Sequence, residues 1–329
     1  MHSKNILFIN FGGLGDEILF LPTILSVKQE FPNSHITLAL EERSKGILAL
    51  TDAIDDAIYV DIKSKNKYFE LSKLLFKIYR KNFDIVISSG SNKFISLFLF
   101  MTFIKKRYGY NTGKLSRLLL TKSINLNKNQ YAVNMYQDLV QDLTDYKTNL
   151  PIFNIVKKHV IPDSILIHPG VSRLSIEKNM IKTIPAEKWA SVIEKLYAKR
   201  KKVFLIGGPD DKDCIETIVK KVAADKFENL YGTTKNVKDL AELISSAEKF
   251  VCSDSAPMHI AVGLGVKTYA VFGSTDYKKL IPQSENVIPI TIESKCSLQP
   301  CLWEKRQTSC EKLECLDIPV EKIVDTILN

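Results

Sequence analysis

Short apolar runs rich in Ile, Val and Phe alternate with amphipathic stretches along the whole chain. Each run is short enough to form a parallel strand that is buried on both faces. The runs lie at residues 5–10, 35–40, 57–60, 84–88, 164–167, 202–206, 249–252 and 268–272. Helical spacing is clearest at residues 23–30, 69–80, 186–199 and 237–247. This alternation of strand and helix predicts a doubly wound α/β fold.

The alternation occurs twice along the chain. A polar interval at residues 121–129 and a connection at 150–163 separate the two sets of runs. We therefore predict two Rossmann-like domains, at residues 1–155 and 156–329, each long enough to bury its own core. Ligands of open α/β sheets bind at the carboxyl ends of the strands, so two such domains facing each other would bind their ligands in a cleft.

Composition bears on where the protein works. A hydrophobic fraction of 45% and a charged fraction of 25% are typical of a soluble globular protein. The first apolar run leads into a Gly-rich turn without a small-residue cleavage site, which indicates a first strand, not a signal peptide, and predicts a cytoplasmic protein. The longest apolar segment, at residues 94–104, is shorter than the roughly 20 residues that a membrane-spanning helix needs.

The net charge of +9 is distributed unevenly. Residues 85–137 contain no acid, but they carry many basic residues, among them Lys105, Lys106 and Arg107. This asymmetry indicates an anionic partner, with a solvated basic surface as the alternative. Because the basic residues flank the apolar segment 94–104, we favour a phosphorylated lipid or glycolipid, or an anionic membrane surface. No recognised nucleic-acid-binding signature is found, so nucleic acid is not predicted as a partner.

A Gly-rich turn follows the first predicted strand and opens a helix. Gly12, Gly13 and Gly15 would let an acceptor approach the backbone closely, and Asp16 follows them. The turn departs from the dinucleotide-binding fingerprint, because counting from Gly13 places Ile18 where a third Gly is needed. The helix dipole keeps a carboxylate ionised at this position, so Asp16 would repel phosphate and suits a general base for a hydroxyl group. A plain helix cap is the alternative.

A polar loop follows the strand predicted at residues 164–167. It begins after His168 and carries Lys178 and Lys182 ahead of a helix that starts near Pro185. Lys182 beside a helix N-terminus would neutralise a leaving diphosphate, and Lys178 is counted with the donor-binding residues. A solvated loop lysine is the alternative reading of Lys182.

The clearest motif follows the strand predicted at residues 249–252. Asp254 and Ser255 end the strand at a helix N-terminus, ahead of an apolar helical segment at residues 260–264, so backbone N–H groups and the Ser255 hydroxyl would meet a diphosphate. His259 lies one turn deeper, on the same helical face as Ser255. The Gly-Gly-Pro-Asp-Asp turn that ends at Asp211 places an acid for ribose hydroxyls. Ordinary helix caps are the alternative for these groups.

Four cysteines lie near the C-terminus. Their spacing is C-x4-C-x8-C-x4-C, at Cys296, Cys301, Cys310 and Cys315. Thiols in a cytosolic protein bind metal more often than they form disulfides. The spacing lacks the usual C-x2-C pair, so a structural zinc or iron site and free or redox-active thiols both stay open.

Four of these motifs together resemble, in order and spacing, those of the lipopolysaccharide heptosyltransferase family, glycosyltransferase family 9. They are Gly13-Leu14-Gly15-Asp16 followed by Leu21-Pro22, Lys182-x-x-Pro185-x-x-x-Trp189, Gly207-Gly208-Pro209-Asp210-Asp211, and Asp254-Ser255-Ala256-Pro257-Met258-His259. The resemblance spans nearly the whole chain, and four motifs in this order are specific although each is weak alone.

The resemblance implies a GT-B type fold that binds an acceptor in the first domain and a nucleotide-diphosphate sugar in the second. It implies inverting transfer of heptose from ADP-heptose to a lipopolysaccharide-type acceptor, with no metal or other cofactor needed for catalysis. By the same resemblance Asp16 is the catalytic base and Lys182 stabilises the donor phosphates. Such a protein would work in the cytoplasm, at the inner membrane.

The resemblance also implies roles for the remaining donor residues. Asp254, Ser255 and the backbone of Ala256 would hold the diphosphate with His259 nearby, and Asp211 would bind the ribose. The family usually has Gly where this chain has Ala256 and Glu where it has Asp211. Those departures imply that the backbone at Ala256 approaches the phosphate less closely and that the Asp211 carboxylate has a shorter reach to the ribose. The four-cysteine segment resembles one in some members, for which a structural metal is implied.

Two other functions are alternatives to transfer. A nucleotide-sugar sensor or scaffold could use the same fold without catalysis, because fold does not determine function. It would bind ADP without transferring a sugar. A nicotinamide dehydrogenase is disfavoured by the incomplete Gly fingerprint and by the Asp16 carboxylate, which would repel the pyrophosphate.

Overall fold

The computed structural model describes residues 3–302 and 309–329. The chain divides into two compact units, Met1–Asn154 and Ile155–Asn329. Each unit contains one six-stranded sheet in which every ladder between neighbouring strands is parallel. Helices connect the strands. The predicted doubly wound α/β architecture is therefore confirmed.

The sheet of the first unit has the strand order β3-β2-β1-β4-β5-β6. Its strands are β1 Asn5–Ile9, β2 His35–Leu40, β3 Asp56–Tyr59, β4 Ile85–Ser88, β5 Lys106–Tyr110 and β6 Lys122–Ile124. Its α-helices are α1 Leu14–Glu30, α2 Lys67–Tyr79, α3 Ile95–Met101, α4 Lys114–Leu119 and α5 Ala132–Gln137. Short 3₁₀ helices lie at Glu42–Ala49 and Asp138–Val140.

Helices α2 and α3 share one face of this sheet. Leu74 and Ile78 of α2 and Leu99 of α3 belong to a buried apolar cluster that also contains Leu7 and Ile9 of β1. The central strand β1 is buried from its second residue onward and β4 over its whole length, because helices cover both faces of the sheet. Strand order reverses between β1 and β4, which is the position where ligands of doubly wound sheets bind.

The sheet of the second unit has the order β12-β11-β10-β7-β8-β9. Its strands are β7 Ile161–His168, β8 Lys202–Leu205, β9 Glu228–Asn229, β10 Ala247–Ser253, β11 Lys267–Val271 and β12 Val287–Ile290. Its α-helices are α6 Arg173–Glu177, α7 Ala186–Ala198, α8 Lys212–Lys221, α9 Val237–Ser245, α10 Ala256–Leu264, α11 Tyr277–Leu280 and α12 Val320–Leu328. Short 3₁₀ helices lie at Pro209–Asp211, Ala224–Lys226 and Glu314–Leu316.

Some strands lie where the hydrophobic pattern shows no apolar run. The polar interval 121–129 contains β6, and the predicted connection 150–163 contains the first residues of β7. Strands β6 and β9 pair with a neighbour on one side only, so they need no continuous apolar sequence. The apolar segment 94–104 contains α3. Within the described part of the chain, no helix is both long and apolar enough to cross a membrane.

Candidate active site

Asp16 lies in the first turn of α1, directly after the carboxyl end of β1. Its Oδ2 accepts a hydrogen bond of 2.7 Å from the backbone N–H of Gly13, and the residue stays partly exposed. A Cβ atom at Gly12 would lie 2.3 Å from the Cβ of Asp16, so only glycine leaves room for this side chain. The carboxylate therefore caps its own helix and is still accessible. The cap and the predicted base are compatible in this geometry.

The segment after β2 closes on the same turn. Ser44 Oγ donates a hydrogen bond of 2.7 Å to the carbonyl of Gly12. The Arg43 guanidinium lies beside Gly13, where a Cβ atom would come within 3.3 Å of its Nη1, and its Nε donates to Glu41 Oε2 at 2.6 Å. We did not predict Glu41 or Arg43 from the motifs. The feature that could have predicted them is their place in the topology, because they follow β2, the strand that pairs with β1.

Glu17, which follows Asp16, is a buried acid that the motifs also failed to predict. Its side chain is 1% exposed, and burial raises its pKa well above the ordinary value of 4.5, with the charge of Asp16 adding to the rise. The Asn10 amide and the Gly12 backbone lie nearby and oppose the rise. Among the described residues, however, neither carboxyl oxygen makes a hydrogen bond of normal geometry. The nearby Asn10 Oδ1 accepts instead from Ser89 Oγ at 2.5 Å.

The three basic residues predicted to bind the acceptor lie elsewhere in this unit. Lys106 and Arg107 begin β5, and Lys105 precedes them, so all three lie at the amino end of a parallel sheet. Asp16 follows the carboxyl end of β1, so it lies at the opposite end of the parallel strands. Arg107 Nε also donates to the Leu119 carbonyl at 2.8 Å. The structure does not bring these residues to the Asp16 turn, and acceptor binding by them stays a prediction.

In the second unit the structure brings Lys182 and Asp254 together. Lys182 Nζ lies 3.1 Å from Asp254 Oδ2, and the Asp254 residue is only 5% exposed. The atoms form an ion pair without the alignment of a regular hydrogen bond. Removal of the lysine would leave a buried carboxylate without its cation. The contact thus joins two residues that were predicted from separate motifs.

A hydroxyl network holds the Lys182 loop against the end of β10. The Thr183 hydroxyl donates to the Pro169 carbonyl at 2.7 Å and accepts from Ser253 Oγ at 2.6 Å. Trp189 Nε1 also donates to Thr183 Oγ1 at 3.0 Å, and the Trp189 side chain is fully buried. Thr183 and Ser253 were not predicted as site residues. Because Thr183 directly follows Lys182, its hydrogen bond with Ser253 fixes the position of the lysine.

The N-terminus of α10 has no side-chain cap. Ser255 occupies the N-cap position, but its hydroxyl donates backwards to the Ser253 carbonyl at 3.3 Å. Ser255 and Ala256 are partly exposed, whereas His259 is buried one turn deeper. The first N–H groups of a helix carry partial positive charge and favour an anion. The predicted diphosphate site is geometrically feasible at this terminus.

Asp211 lies inside the second unit and is 6% exposed. Its Oδ2 accepts from the Gly208 N–H at 2.8 Å and lies 3.2 Å from Nε2 of the buried His168. A Cβ at Gly170 would approach Asp211 Oδ1 to 1.7 Å. The carboxylate therefore has internal partners, and ribose binding by Asp211 stays a prediction. Lys178, the other predicted donor residue, is exposed at the end of α6.

The four cysteines of the C-terminal segment influence one another. Burial raises the pKa of Cys315 to about 11, and the charges of Cys301, Cys310 and Cys296 add to the rise. Four thiols are a suitable donor set for zinc or iron. Nevertheless, in residues 3–302 and 309–329 no three or more His, Cys, Asp or Glu side chains form a metal-binding group. The four thiols lie close enough to influence one another, but the described residues do not place three of them as ligands of one ion, so metal binding stays a prediction.

Comparison with known proteins places the chain in one family. The model of glycosyltransferase family 9 (heptosyltransferase) matches residues 71–312, which is more than half of the chain. Lipopolysaccharide heptosyltransferase 3 of Escherichia coli is 25% identical over 298 residues, covering 83% of this chain and 85% of that protein. Lipooligosaccharide heptosyltransferase 2 of Campylobacter jejuni is 22% identical over 325 residues and 95% of each chain.

Solved structures show the same fold. The E. coli ADP-heptose lps heptosyltransferase II aligns with a TM-score of 0.75 at 19% identity, over 98% of this chain and 96% of that one. E. coli heptosyltransferase WaaC with ADP-2-deoxy-2-fluoro heptose aligns with a TM-score of 0.68 at 18% identity, over 87% and 92%. The iron-containing glycosyltransferase TibC of enterotoxigenic E. coli has a TM-score of 0.58 at 11% identity, over 100% and 77%. The fold of two Rossmann-like units, of the GT-B type, agrees with the family match. The chain therefore belongs to glycosyltransferase family 9 and is a glycosyltransferase.

Proposed function

We propose that the protein transfers heptose from ADP-heptose to a hydroxyl group of a lipopolysaccharide core, with inversion of configuration. The relatives in E. coli and Campylobacter jejuni are named as heptosyltransferases, and a solved structure of similar fold holds an ADP-heptose analogue. The observation that carries the proposal is the position of Lys182. Its Nζ lies 3.1 Å from Oδ2 of Asp254, which lies between β10 and α10.

The donor diphosphate would bind between Lys182 and the N-terminus of α10. Lysine acts on phosphate as a point charge, and the backbone N–H of Ala256, at the uncapped start of α10, would donate a hydrogen bond to a phosphate oxygen. Asp254 holds the ammonium group in place. Negative charge grows on the leaving diphosphate as the glycosidic bond breaks, so the lysine would stabilise the transition state more than the bound donor.

Asp16 would act as the base on the acceptor. The acceptor oxygen attacks the anomeric carbon, its proton moves to the Asp16 carboxylate, and the bond to the ADP oxygen breaks from the opposite face. The Gly13 N–H donates to Asp16 Oδ2, which fixes the carboxylate and would leave Oδ1 to accept the proton. A protonated Glu17 would keep a second negative charge away from this turn. The proposed step needs no metal.

The acceptor would be an anionic glycolipid or oligosaccharide. Residues 85–137 contain no acid, and the basic side chains Lys105 and Lys106 are exposed. Those residues would bind acceptor groups remote from the reacting hydroxyl, because they lie at the opposite sheet edge from Asp16. We place the reaction in the cytoplasm, on the cytoplasmic face of the inner membrane.

The four-cysteine segment would bind a structural zinc or iron ion. Cys301 is tied to the body of the second unit, because its N–H donates to the Ser274 carbonyl at 2.9 Å. Burial, with added repulsion from the other thiols, raises the pKa of Cys315, and a bound cation would offset both effects by stabilising the thiolate. The ion would stabilise this segment and would take no part in sugar transfer.

The test is a transfer assay with a donor panel. Purified protein is incubated with a deheptosylated lipopolysaccharide core and with ADP-heptose, ADP-glucose, GDP-mannose or UDP-glucose, and product mass and released nucleotide are measured. We expect a heptosylated product from ADP-heptose and little from the other donors. Binding of ADP-heptose without any product, for every core acceptor, would identify a sensor and refute the proposal.

A further inference from the structure

The outer side of α3 and α4 exposes an apolar surface. Inner side chains of α3, such as Leu99, pack on the sheet, and Leu120, directly after α4, belongs to the same buried cluster. The outward side chains of these helices and of the residues that flank α3 are large and apolar, and the most exposed are Phe94 at 76%, Phe103 at 77% and Leu118 at 80%. We define the α3–α4 surface by Phe94, Phe100, Met101, Phe103, Leu115 and Leu118. Contiguous exposed apolar side chains of this size usually mark an interaction site.

Contacts through one arginine and one tyrosine make this surface continuous. Arg107 Nε donates to the Leu119 carbonyl at the end of α4, and the Arg107 guanidinium lies 5.6 Å from the Phe100 ring in α3. The hydroxyl of Tyr79 in α2 donates to the Met101 carbonyl at 2.6 Å. The Tyr79 ring lies 6.1 Å from the Phe103 ring. Because α3 and α4 are also neighbouring helices, their exposed side chains lie side by side on the same surface.

The backbone conformation of Phe103 is unfavourable for a large side chain, so folding alone does not explain why Phe occupies this position. Phe103 has a φ of 57°, in the left-handed region, just after the end of α3. Glycine is usual at this position, since a bulky side chain is strained there. Phe103 is 77% exposed, so little burial within the protein offsets the strain. Strained residues of this kind are concentrated at functional sites.

The surroundings of the α3–α4 surface are basic. The exposed basic residues near it are Lys93, Lys105, Lys106, Lys114 and Arg117. Over residues 3–302 and 309–329, none of the five forms an ion pair, and the sequence has no acid at residues 85–137. Apolar side chains surrounded by unneutralised positive charge complement a surface that is anionic outside and apolar inside.

We propose that the α3–α4 surface docks on an anionic lipid bilayer, with its apolar side chains between the headgroups and its basic side chains on the lipid phosphates. A second copy of the chain fits less well, because pairing of this surface with itself would bring like charges together. Nucleic acid would leave Met101, Leu115 and Leu118 without stacking partners. The proposal rests on the membrane location proposed above, with Lys105 and Lys106 contacting phosphates of the surrounding lipids as well as of the acceptor, and it does not depend on which sugar the enzyme transfers.

The experiment measures binding of the full chain to lipid vesicles by flotation. Vesicles of phosphatidylcholine alone are compared with vesicles that also contain phosphatidylglycerol, at low and high salt. We expect binding to the anionic vesicles that weakens as salt rises, because screening shortens the range of the basic residues. Equal binding to both vesicle types, or no binding to either, would overturn the proposal.

Variants locate the binding surface. The double variant Phe94→Ser/Leu118→Ser is expected to bind anionic vesicles at least about tenfold more weakly, because two large apolar side chains lose their burial. Lys105→Ser/Lys106→Ser is expected to weaken binding about fivefold for each charge removed. The control Ile152→Ser/Val156→Ser removes exposed apolar side chains outside α3 and α4 and is expected to bind like the wild type.

A further variant separates binding from folding. Phe103→Gly relieves the left-handed strain, so it is expected to keep or raise the melting temperature while it weakens vesicle binding. Wild-type binding by Phe103→Gly and by Phe94→Ser/Leu118→Ser would exclude the surface. Self-association in sedimentation velocity that the same variants abolish would identify a second copy as the occupant and would equally overturn the proposal.

Discussion

The ammonium group of Lys182 lies 3.1 Å from the nearly buried carboxylate of Asp254. Loop residues on both sides of the lysine are fixed, because Ser274 Oγ donates to the Ile181 carbonyl at 2.6 Å and Thr183 is held by Ser253. The positive charge is thus positioned before any donor binds. Charges that are positioned in advance stabilise a transition state without the cost of reorganisation.

Lys182→Ala is expected to lower kcat/KM for transfer by about 10²–10³-fold, the usual cost of one group that stabilises a developing charge. It also leaves Asp254 buried without a cation and is expected to lower the melting temperature. The control Lys182→Ala/Asp254→Asn removes both charges, so it should recover stability without recovering activity. Recovery of both would show that Lys182 has only a structural role.

Asp16→Asn is expected to reduce kcat by about 10²–10⁴-fold, the range for loss of a general base. The amide oxygen of asparagine can still accept the hydrogen bond from Gly13, so the helix start should persist. Turnover is measured at saturating donor, and thermal unfolding checks the fold. A folded variant that retains near-normal turnover would contradict the base assignment.

Glu17→Gln is expected to make stability less dependent on pH. Because burial raises the folded pKa of Glu17 above 4.5, the folded state holds a proton that the unfolded state has lost. Stability is thus greatest below the unfolded pKa and falls as pH rises towards the folded pKa. Urea unfolding from about pH 4 to about pH 8 should show a flatter profile and higher neutral-pH stability for Glu17→Gln.

The matched control for Glu17→Gln is Glu30→Gln, because Glu30 is exposed in the same helix. We expect this variant to keep the wild-type pH profile. An unchanged profile in Glu17→Gln would mean that Glu17 ionises normally in the folded protein.

Gly170→Ala is expected to destabilise the second unit by about 2–4 kcal/mol, as severe overpacking of a buried site does. The added Cβ would lie 1.7 Å from Asp211 Oδ1 and would displace the carboxylate from His168. Gly208→Ala serves as control, since its Cβ would lie 3.9 Å from Asp211 Oδ2. Equal free energies of unfolding for the two variants in urea would contradict this packing.

Purified protein is expected to contain bound zinc or iron, measured by elemental analysis. Cys315→Ser is expected to lose the metal, because Cys315 interacts with the other three cysteines of the segment. Cys214→Ser should retain it, since Cys214 lies in α8 outside the segment. Wild-type protein that contains neither metal after anaerobic purification would leave the thiols without a structural ion.

The local features of both units followed from the sequence alone. Apolar runs predicted the central strands because helices cover both faces of a doubly wound sheet. The turns that carry Asp16 and Asp254 were recognisable because a strand, a short turn and a helix N-terminus are adjacent in the chain. Periodicity and neighbouring residues determine such elements, so no distant contact is needed to predict them.

Only the tertiary structure decided which distant groups meet. It paired Lys182 with Asp254, buried Asp211 against His168, and left Glu17 without a well-formed hydrogen bond among the described residues. It also placed Lys105 at the opposite sheet edge from Asp16. These outcomes depend on the order of the strands in each sheet and on the end of the strands at which each residue lies. Side chains far apart in the chain are brought together or separated by that order, which hydrophobic periodicity does not encode.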